Sequence, residues 1–530
     1  MRTAYWMLGV TLGLLLAGGV RAQNVDLSFL QTRAEATGFV ETTRYDELMG
    51  FLDVLARTSP RLHLTTFGYT TEGRALPLMI YGDLPAFEPE AIRRSDKARV
   101  FVMANIHAGE VCGKEAMLIL LRALAAGRHA AWADSLIVLV APIYNADGNE
   151  RISLYNRPRQ HGPIGGMGQR PNAQGLDLNR DFTKLDSPEA RSLVGLLNAY
   201  DPHVVVDLHT TNGTLHAYHL TYAEPLHPGT DEHIVGLLRN VWLPEVTDII
   251  RQKYGWEFFF YGNLPWPGSE AGRGWYTYDH RPRFSTNYVG LRNRLGILSE
   301  AYAYATFEER VMATLRFVEE ILHFAHANAS TIRSVVAAAD RAPVVGRPLA
   351  LTARPVPAPE PVEILLGEVV EEKHPYTGAV MLRRTDARRP ERMPVYGTFE
   401  PVLTETAPRA YLVPPELAVV RDRLEAHGVR FRVLSADTVA VVERFRIDST
   451  HVAERAYQQH HLRTLFGSYE RAEVTVVRGT LYVPVNQPLG RLLFILLEPR
   501  SDDGLTTWGL LDEALEGASY FPITRLPAGG

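Results

Sequence analysis

Four side chains able to bind metal or move protons follow apolar segments of the chain. They are His107, Glu110, His209 and Glu300. Imidazole and carboxylate groups are the usual ligands of a catalytic zinc ion, which takes three protein ligands and leaves a fourth position open for water. A carboxylate beside such a centre can take up and return a proton. These residue types therefore predict hydrolytic metal chemistry where the apolar segments end.

The elements that must position these residues are predicted from the alternation of apolar runs with helical stretches. Strands are predicted at 99–106, 136–142, 203–208 and 295–298, and helices at 113–126 and from Ser187 onward, where Ser-Pro-Glu supplies a cap and a first-turn proline. This order predicts an α/β fold with a mixed, mostly parallel sheet flanked by helices. Ligand sites of such sheets lie at the carboxyl ends of strands, where the four residues fall.

Four short motifs carry a resemblance to a known family. An HxxE motif alone occurs by chance in many proteins, but here HAGE (107–110), GLDLNRDF (175–182), DLHTT (207–211) and LSEAY (298–302) follow in order. Together they resemble the zinc carboxypeptidase family, typified by pancreatic carboxypeptidase A, over about residues 40–325. The resemblance implies a carboxypeptidase-like fold, one zinc ion, and hydrolysis of the C-terminal peptide bond of a peptide with a free C-terminus.

The resemblance also implies a role for individual residues. The implied metal ligands are His107, Glu110 and His209; the general base is Glu300; the group that stabilises the oxyanion is Arg170; the residues that grip the terminal carboxylate are Asn179 and Arg180; and the residue that orients a ligand histidine is Asp177. The chemistry of arginine supports the grip, because its planar, permanently charged guanidinium matches a carboxylate. Other arginines crowd the loop that holds Arg170, at positions 151, 157 and 159.

The family's mobile tyrosine is not fixed by spacing. Tyr276, Tyr278 and Tyr288 all precede Glu300 at suitable distances, and we prefer Tyr278. His216 and His219 have a metal-like HxxH spacing, but on a strand this spacing places them on opposite faces, so a structural role is predicted.

The N-terminus has the pattern of a signal peptide. Arg2 precedes an apolar stretch at 6–20, and Val-Arg-Ala at 20–22 resembles a cleavage site, so the mature chain would start at Gln23. An uncleaved anchor is the alternative. We expect a secreted or periplasmic bacterial protein without stable membrane insertion. The net charge of −5 gives no support to nucleic-acid binding.

The character of the sequence changes after residue 325. We predict a catalytic domain over 23–335, a proline-rich linker over 336–361, and an α+β or β-rich accessory domain of unassigned role over 362–530. Within the accessory domain, 410–434 is predicted as strand, helix, strand. The sequence makes no prediction about oligomeric state.

Three functions are compatible with these observations. The first is a secreted zinc carboxypeptidase. The second keeps the metal and the fold but acts as a cell-wall peptide hydrolase or amidoacid deacylase. The third is a binding protein with a vestigial site; the presence of all three ligands together with Glu300 argues against it, because a decayed site is free to lose any of them.

Overall fold

The computed structural model describes residues 25–211 and 213–529. The predicted signal peptide, 1–22, lies outside the described residues. Within the described residues, every helix is too short or too polar to cross a membrane.

The helices and strands are as follows. The α-helices are α1 (Arg33–Ala36), α2 (Tyr45–Thr58), α3 (Pro89–Arg94), α4 (Cys112–Ala125), α5 (Trp132–Ser135), α6 (Ala146–Glu150), α7 (Pro188–Tyr200), α8 (Glu232–Leu237), α9 (Leu243–Tyr254), α10 (Ser285–Leu291), α11 (Phe307–Ala327), α12 (Ala329–Arg341), α13 (Ala418–His427), α14 (Gly490–Leu497) and α15 (Asp512–Leu515). The strands are β1 (Leu62–Tyr69), β2 (Ala75–Tyr81), β3 (Ala98–Ala104), β4 (Leu136–Ala141), β5 (Val204–Thr210), β6 (Leu220–Ala223), β7 (Phe258–Phe260), β8 (Trp275–Tyr276), β9 (Leu295–Ala301), β10 (Pro348–Val356), β11 (Val362–Lys373), β12 (Val380–Met393), β13 (Val395–Tyr396), β14 (Thr398–Thr406), β15 (Ala410–Val413), β16 (Arg432–Val433), β17 (Thr438–Val452), β18 (Arg463–Val476), β19 (Leu481–Pro484) and β20 (Thr524–Leu526).

An eight-stranded mixed sheet forms the centre of the catalytic region. Its order is β1-β2-β4-β3-β5-β9-β6-β7, and the inner strands β4, β3, β5 and β9 run parallel. The four predicted strands are β3, β4, β5 and β9. The predicted helices are α4 and α7, and the Ser187 side chain caps α7 by accepting from Ala190 N. The predicted fold class is confirmed.

The two faces of this sheet pack into different cores. Along β3, Val100 and Val102 point to one face, where α2, α4 and α11 cover them. Phe101 and Met103 alternate to the other face, which α7 and α10 cover. Because side chains of a strand alternate in this way, each apolar run fills both cores, which explains why the inner strands are apolar throughout.

The C-terminal region is β-rich, as predicted. Its main unit is a six-stranded antiparallel sheet in the order β16-β19-β15-β20-β17-β18, with α13 and α14 packed beside it. The second core of the catalytic region continues into this unit: Leu193 of α7 and Tyr288 of α10 belong to the same buried cluster as Leu424 of α13 and Phe494 of α14. The C-terminal region is therefore held against the catalytic region by a shared apolar core.

The segment predicted as a linker, 336–361, is largely regular structure. It contains the end of α12 and all of β10, which pairs with β14 in a two-stranded antiparallel sheet. Proline is tolerated here because each strand of a two-stranded sheet has a free edge, where a missing N–H breaks no ladder bond. The stretch predicted as a proline-rich linker thus contains regular structure, and its role as a linker and the domain bounds on either side stay predictions.

Four buried histidines and one half-buried histidine, His219, predict that the fold is sensitive to acid. Burial lowers the pKa to about 3 for each of them: His203, His216, His219, His227 and His427. His427 shows why the neutral form is kept, because its Nε2 donates to Thr183 O at 3.1 Å while its Nδ1 lies 2.8 Å from Tyr288 Oη.

The direction of the change in stability with pH follows from proton uptake. Below about pH 6.5 the unfolded chain protonates these histidines while the folded chain does not, so each removes up to about 1.4 kcal/mol of stability per pH unit as the pH falls. Glu300 and Asp503 offset two of them, because burial raises their pKa values to about 8 and about 6. Urea unfolding midpoints should fall steeply between pH 7 and pH 5. An unchanged midpoint over this range would contradict the prediction.

Candidate active site

Adjacent parallel strands bring the predicted residues to one edge of the sheet. His107 and Glu110 lie between the end of β3 and the start of α4, and β5 lies between β3 and β9. His209 of β5 is in register with Glu300 of β9. The structure therefore brings the four residues together, as their positions at the ends of strands predicted.

His107, Glu110 and His209 form a compact group that could hold a metal ion. Their candidate ligand atoms all lie within 4.8 Å of one another, and the three side chains are almost fully buried. The two Nδ1 atoms are 3.3 Å apart and lie 3.0 and 2.9 Å from the two carboxylate oxygens of Glu110. These atoms lie close enough together to bind one metal ion, and the three residues are called the ligand group below.

Two aspartates fix the orientation of the histidine rings. His107 Nε2 lies 3.0 Å from Asp177 Oδ1, and His209 Nε2 lies 2.8 Å from Asp207 Oδ2. An Nε2–H that donates to a carboxylate leaves the Nδ1 lone pair directed at the ligand group, as in the histidines of metal sites. Asp177 was predicted from the sequence and Asp207 was missed. Its signal was available, because it precedes His209 by two positions on one strand and so shares its face.

The electrostatics of the group favour a bound cation. Burial by itself would lower the pKa of His209, yet Asp207 and Glu110 raise that pKa well above its ordinary value. Burial likewise opposes ionisation of Glu110, but Arg157 and His107 hold the pKa of that carboxyl well below its usual range. The surroundings thus stabilise positive charge at His209 and the ionised carboxylate of Glu110. Two imidazoles and a carboxylate, with this charge balance, fit a zinc ion.

Glu300 faces the same pocket. Its Oε2 is buried and has no hydrogen-bond partner among the described residues. Burial raises the pKa of Glu300 to about 8, with a contribution from the nearby Glu110. A divalent cation held by the ligand group would lower that pKa again, since a metal ion is the largest local charge in such a site. With such a cation bound, the carboxylate would be poised between holding and releasing a proton near neutral pH.

Two arginines, Arg157 and Arg170, lie close to Glu110 of the ligand group. Arg170 donates from Nε and Nη2 to Asp177 Oδ2, at 3.0 and 2.8 Å, and its Nη1 lies 3.8 Å from Glu110 Oε1. Arg157 pairs directly with Glu110. Arg170 lines the pocket, as its predicted role requires. Arg157 had no distinguishing signal among the loop arginines, and here it neutralises a ligand carboxylate.

Asn179 and Arg180 lie on a short 3-10 turn, Leu178–Arg180, beside the ligand group. Asn179 Oδ1 accepts from Ser285 N at 2.9 Å. The Arg180 guanidinium stacks on the Phe284 ring, 3.8 Å from its centroid, and Nη1 donates to Asn179 O at 2.7 Å. Stacking and hydrogen bonding together hold this arginine in a defined orientation at the pocket wall.

Of the three candidate tyrosines, Tyr278 lines the pocket. Its Oη lies 2.5 Å from Thr286 Oγ1. Tyr276 stacks on Tyr396, and Tyr288 is fully buried against α13. Tyr261, which directly follows β7, also lines the pocket.

The other histidine pair does not join the metal group. His216 and His219 precede β6 instead of lying within a strand. His216 is buried and stacks near Tyr302, and His219 Nδ1 accepts from Glu257 N. Their predicted structural role fits these contacts.

The pocket itself has a volume of about 210 Å³. Its polar and charged wall consists of His107, Glu110, Arg170, Asn179, Arg180, His209, Thr210, Thr211, Ser285, Thr286 and Glu300, and its apolar and aromatic wall of Tyr261, Tyr278, Phe284 and Leu298. It is large enough for one amino-acid residue. The ligand group, the Glu300 carboxylate and the Arg180 guanidinium all line this one pocket.

Comparison with known proteins agrees with this chemistry. Residues 48–233 match the family model described as zinc carboxypeptidase, a range that contains the three ligand residues. Carboxypeptidase 2 of Trichophyton rubrum is 25% identical over 527 residues, covering 93% of this chain and 88% of its own length, and that of Trichophyton equinum is 26% identical over 528 residues, with the same coverage. A solved metallo-carboxypeptidase from Burkholderia cenocepacia aligns over 54% of this chain and 69% of its own at 17% identity, with a TM-score of 0.41. Over residues 48–233 this chain is therefore similar to the zinc carboxypeptidase family.

Proposed function

We propose that this protein removes the C-terminal residue from peptides and that Arg180 selects the chain end. The observation that carries the proposal is the presence of the ligand group, Glu300 and Arg180 in the wall of one small pocket. A pocket of about 210 Å³ accommodates a single terminal residue better than a continuing chain.

His107, Glu110 and His209 would hold the metal ion through Nδ1, carboxylate and Nδ1 atoms. When bound, zinc supplies Lewis acidity that polarises a carbonyl and makes water a nucleophile at neutral pH. Asp177 and Asp207 keep both rings in the tautomer that such binding needs.

Glu300 is the proton carrier of the proposed reaction. Its carboxylate takes a proton from the attacking water and returns it to the leaving amine, which would otherwise depart as an unfavourable anion. Arg170, which lies between Asp177 and Glu110, would stabilise the negative charge that develops on the scissile carbonyl oxygen.

Arg180 and Asn179 would receive the terminal carboxylate. Arg180 is mostly enclosed, with 18% of its side chain exposed, and its Nη2 has no hydrogen-bond partner among the described residues. A guanidinium held by stacking offers a pre-organised fork to a carboxylate. Tyr278 and Tyr261 would pack against the terminal residue.

Replacing Arg180 by alanine tests the selection of chain ends. Wild-type protein should cleave a free-acid peptide about ten- to a hundredfold faster than its C-terminal amide, because a hydrogen bond to a charged group contributes roughly 1.5–3 kcal/mol. Arg180→Ala should lower kcat/KM for the acid far more than for the amide, narrowing the ratio. Arg191→Ala is the matched control, because Arg191 pairs with Asp422 away from the pocket. Equal cleavage of the two peptides by wild type would favour an endopeptidase or deacylase.

We also propose that the protein is exported. The N-terminal segment with Arg2, the apolar stretch 6–20 and the Val-Arg-Ala sequence supports this. The intact mass of protein recovered from its producing cells should correspond to a chain that starts at Gln23. A mass that includes residues 1–22 would contradict cleavage.

A further inference from the structure

The C-terminal region reaches the active site through one long hairpin. Strands β17 and β18 form an antiparallel pair that runs from Thr438↔Val476 to Val452↔Arg463. Residues 453–462, which join the two strands, are called the hairpin tip. The hairpin tip lies against the segment of the catalytic region that holds Asp177 and Arg180.

Three consecutive residues of the hairpin tip bind this segment. Arg180 Nε donates to Tyr457 Oη at 3.0 Å. The backbone N of Asp177 donates to Gln458 Oε1 at 2.8 Å. Gln459 Nε2 donates to the backbone O of Gln174 at 3.0 Å. The contacts join residues about 280 positions apart, and two of them fall on residues of the proposed site.

The backbone of the hairpin tip is strained at the two glutamines whose side chains contact the catalytic region. Gln458 and Gln459 have φ values of +50° and +66°, in a two-residue turn closed by the bridge between Tyr457 and His460. Such turns favour Asn-Gly or Gly-Gly, because a side chain is strained at positive φ. Here glutamine occupies both positions, and both side chains are used in contacts with the catalytic region. Strain of this kind persists where surrounding contacts over-determine the conformation.

Further contacts hold the hairpin tip in place. The Tyr457 ring stacks near Trp508, with centroids 6.1 Å apart and planes inclined by 24°. Trp508 Nε1 donates to Thr183 Oγ1 at 2.9 Å, and His460 Nε2 lies 2.6 Å from Asp186 Oδ2. Tyr457 is therefore anchored at both its ring and its hydroxyl.

Tyr457 completes the set of contacts that orient Arg180. Phe284 stacks on the guanidinium, Asn179 O accepts from Nη1, and Tyr457 Oη accepts from Nε. With Nε bonded to Tyr457 Oη and one N–H of Nη1 bonded to Asn179 O, the other N–H of Nη1 and the Nη2 group are left for a ligand. A carboxylate needs an edge with two N–H groups for a bidentate contact.

We propose that the C-terminal region is part of the active site, with Tyr457 as a positioning residue that sets Arg180 for the terminal carboxylate. Gln458 acts in the same way on the Asp177 backbone, and so on the carboxylate that orients His107. This inference rests on the proposed function, because it deepens the role given there to Arg180. It also gives the C-terminal region a task in substrate selection.

The test is the acid-to-amide ratio of kcat/KM in Tyr457→Phe, measured on the full-length protein. The variant keeps the ring and removes only the hydroxyl that accepts from Arg180. We expect the ratio to fall about tenfold, the low end for a hydrogen bond to a charged group because the contact acts through Arg180. The loss should appear as a higher KM for the free-acid peptide, with kcat within about twofold of wild type and amide cleavage unchanged.

Tyr520→Phe is the matched control. It removes another tyrosine hydroxyl that accepts from an arginine, Arg444, in the same C-terminal region but away from the pocket. This control should leave the ratio at the wild-type value. Tyr457→Ala provides a second variant, in which the ratio should be no higher than in Tyr457→Phe.

Each other outcome overturns the inference. If wild type prefers the acid and Tyr457→Phe keeps the full ratio, Tyr457 does not position Arg180, while the proposed function stands. If acid and amide cleavage fall equally in Tyr457→Phe, the hydroxyl has a general structural role only. If wild type shows no preference for the acid, the inference and the proposed function fail together, and the wild-type measurement alone identifies that case.

Discussion

Replacing Glu300 by glutamine is expected to lower kcat at least about a hundredfold, the low end for removing a general acid–base group. Glutamine keeps the shape of the side chain but cannot accept the proton that the attacking water must lose. The metal should be retained, because Glu300 is not in the ligand group of His107, Glu110 and His209. Turnover of a free-acid peptide and elemental analysis of the same preparation measure the two effects separately.

The control for this substitution is Glu72→Gln. Glu72 pairs with Arg74 and Arg151 and takes no part in the pocket wall, so its variant should turn over at the wild-type rate. Near-normal turnover in Glu300→Gln would contradict the proton-carrier role. Loss of the metal in that variant would show that the carboxylate contributes to the ligand group instead.

Replacing His209 by alanine is expected to remove both the metal and the activity. Loss of a partner outside the ligand group already costs about ten- to a hundredfold in metal affinity, and loss of a ligand should cost more than that. His233→Ala is a suitable control, because His233 is an exposed residue of α8 outside the pocket. Zinc affinity can be measured by competition with a chelator of known affinity.

Asp207→Asn provides a graded check of the same site. The amide keeps a hydrogen-bond partner for His209 Nε2 but removes the negative charge that favours a cation there. Zinc affinity should fall about ten- to a hundredfold, an intermediate loss. His209→Ala protein with wild-type zinc affinity would contradict the ligand assignment.

The ligand group and Glu300 could be predicted from the sequence because their positions depend on local patterns. Each follows or ends an apolar run, and parallel neighbouring strands end at one edge of a sheet, so chain order and strand ends were enough to bring His107 and Glu300 together. Asp207 also follows a local pattern, because it lies two positions before His209 on one strand and so shares its face. It was missed because an aspartate inside an apolar strand resembles many structural aspartates until its partner is known.

The role of the hairpin tip could not be predicted in this way. The alternation of apolar and polar residues predicts strands at 438–447, within β17, and at 472–485, across the end of β18 and β19. Where the end of the hairpin lies depends instead on how two regions pack. Tyr457 and Arg180 are 277 positions apart, and no local pattern relates them. The proline-rich segment shows a related limit: its composition favoured a linker and did not predict that β10 within it pairs with β14.

The most direct test of the central claim is the mass spectrum of products from a peptide mixture incubated with the purified protein. The mixture should contain free-acid peptides and their C-terminal amides, with and without a chelator and with zinc restored after chelation. The account predicts single residues removed from the C-terminus of the free-acid peptides, no reaction in chelator, and recovery when zinc is returned. Internal cleavage, release of N-terminal residues, or unchanged trimming in the presence of chelator would contradict it.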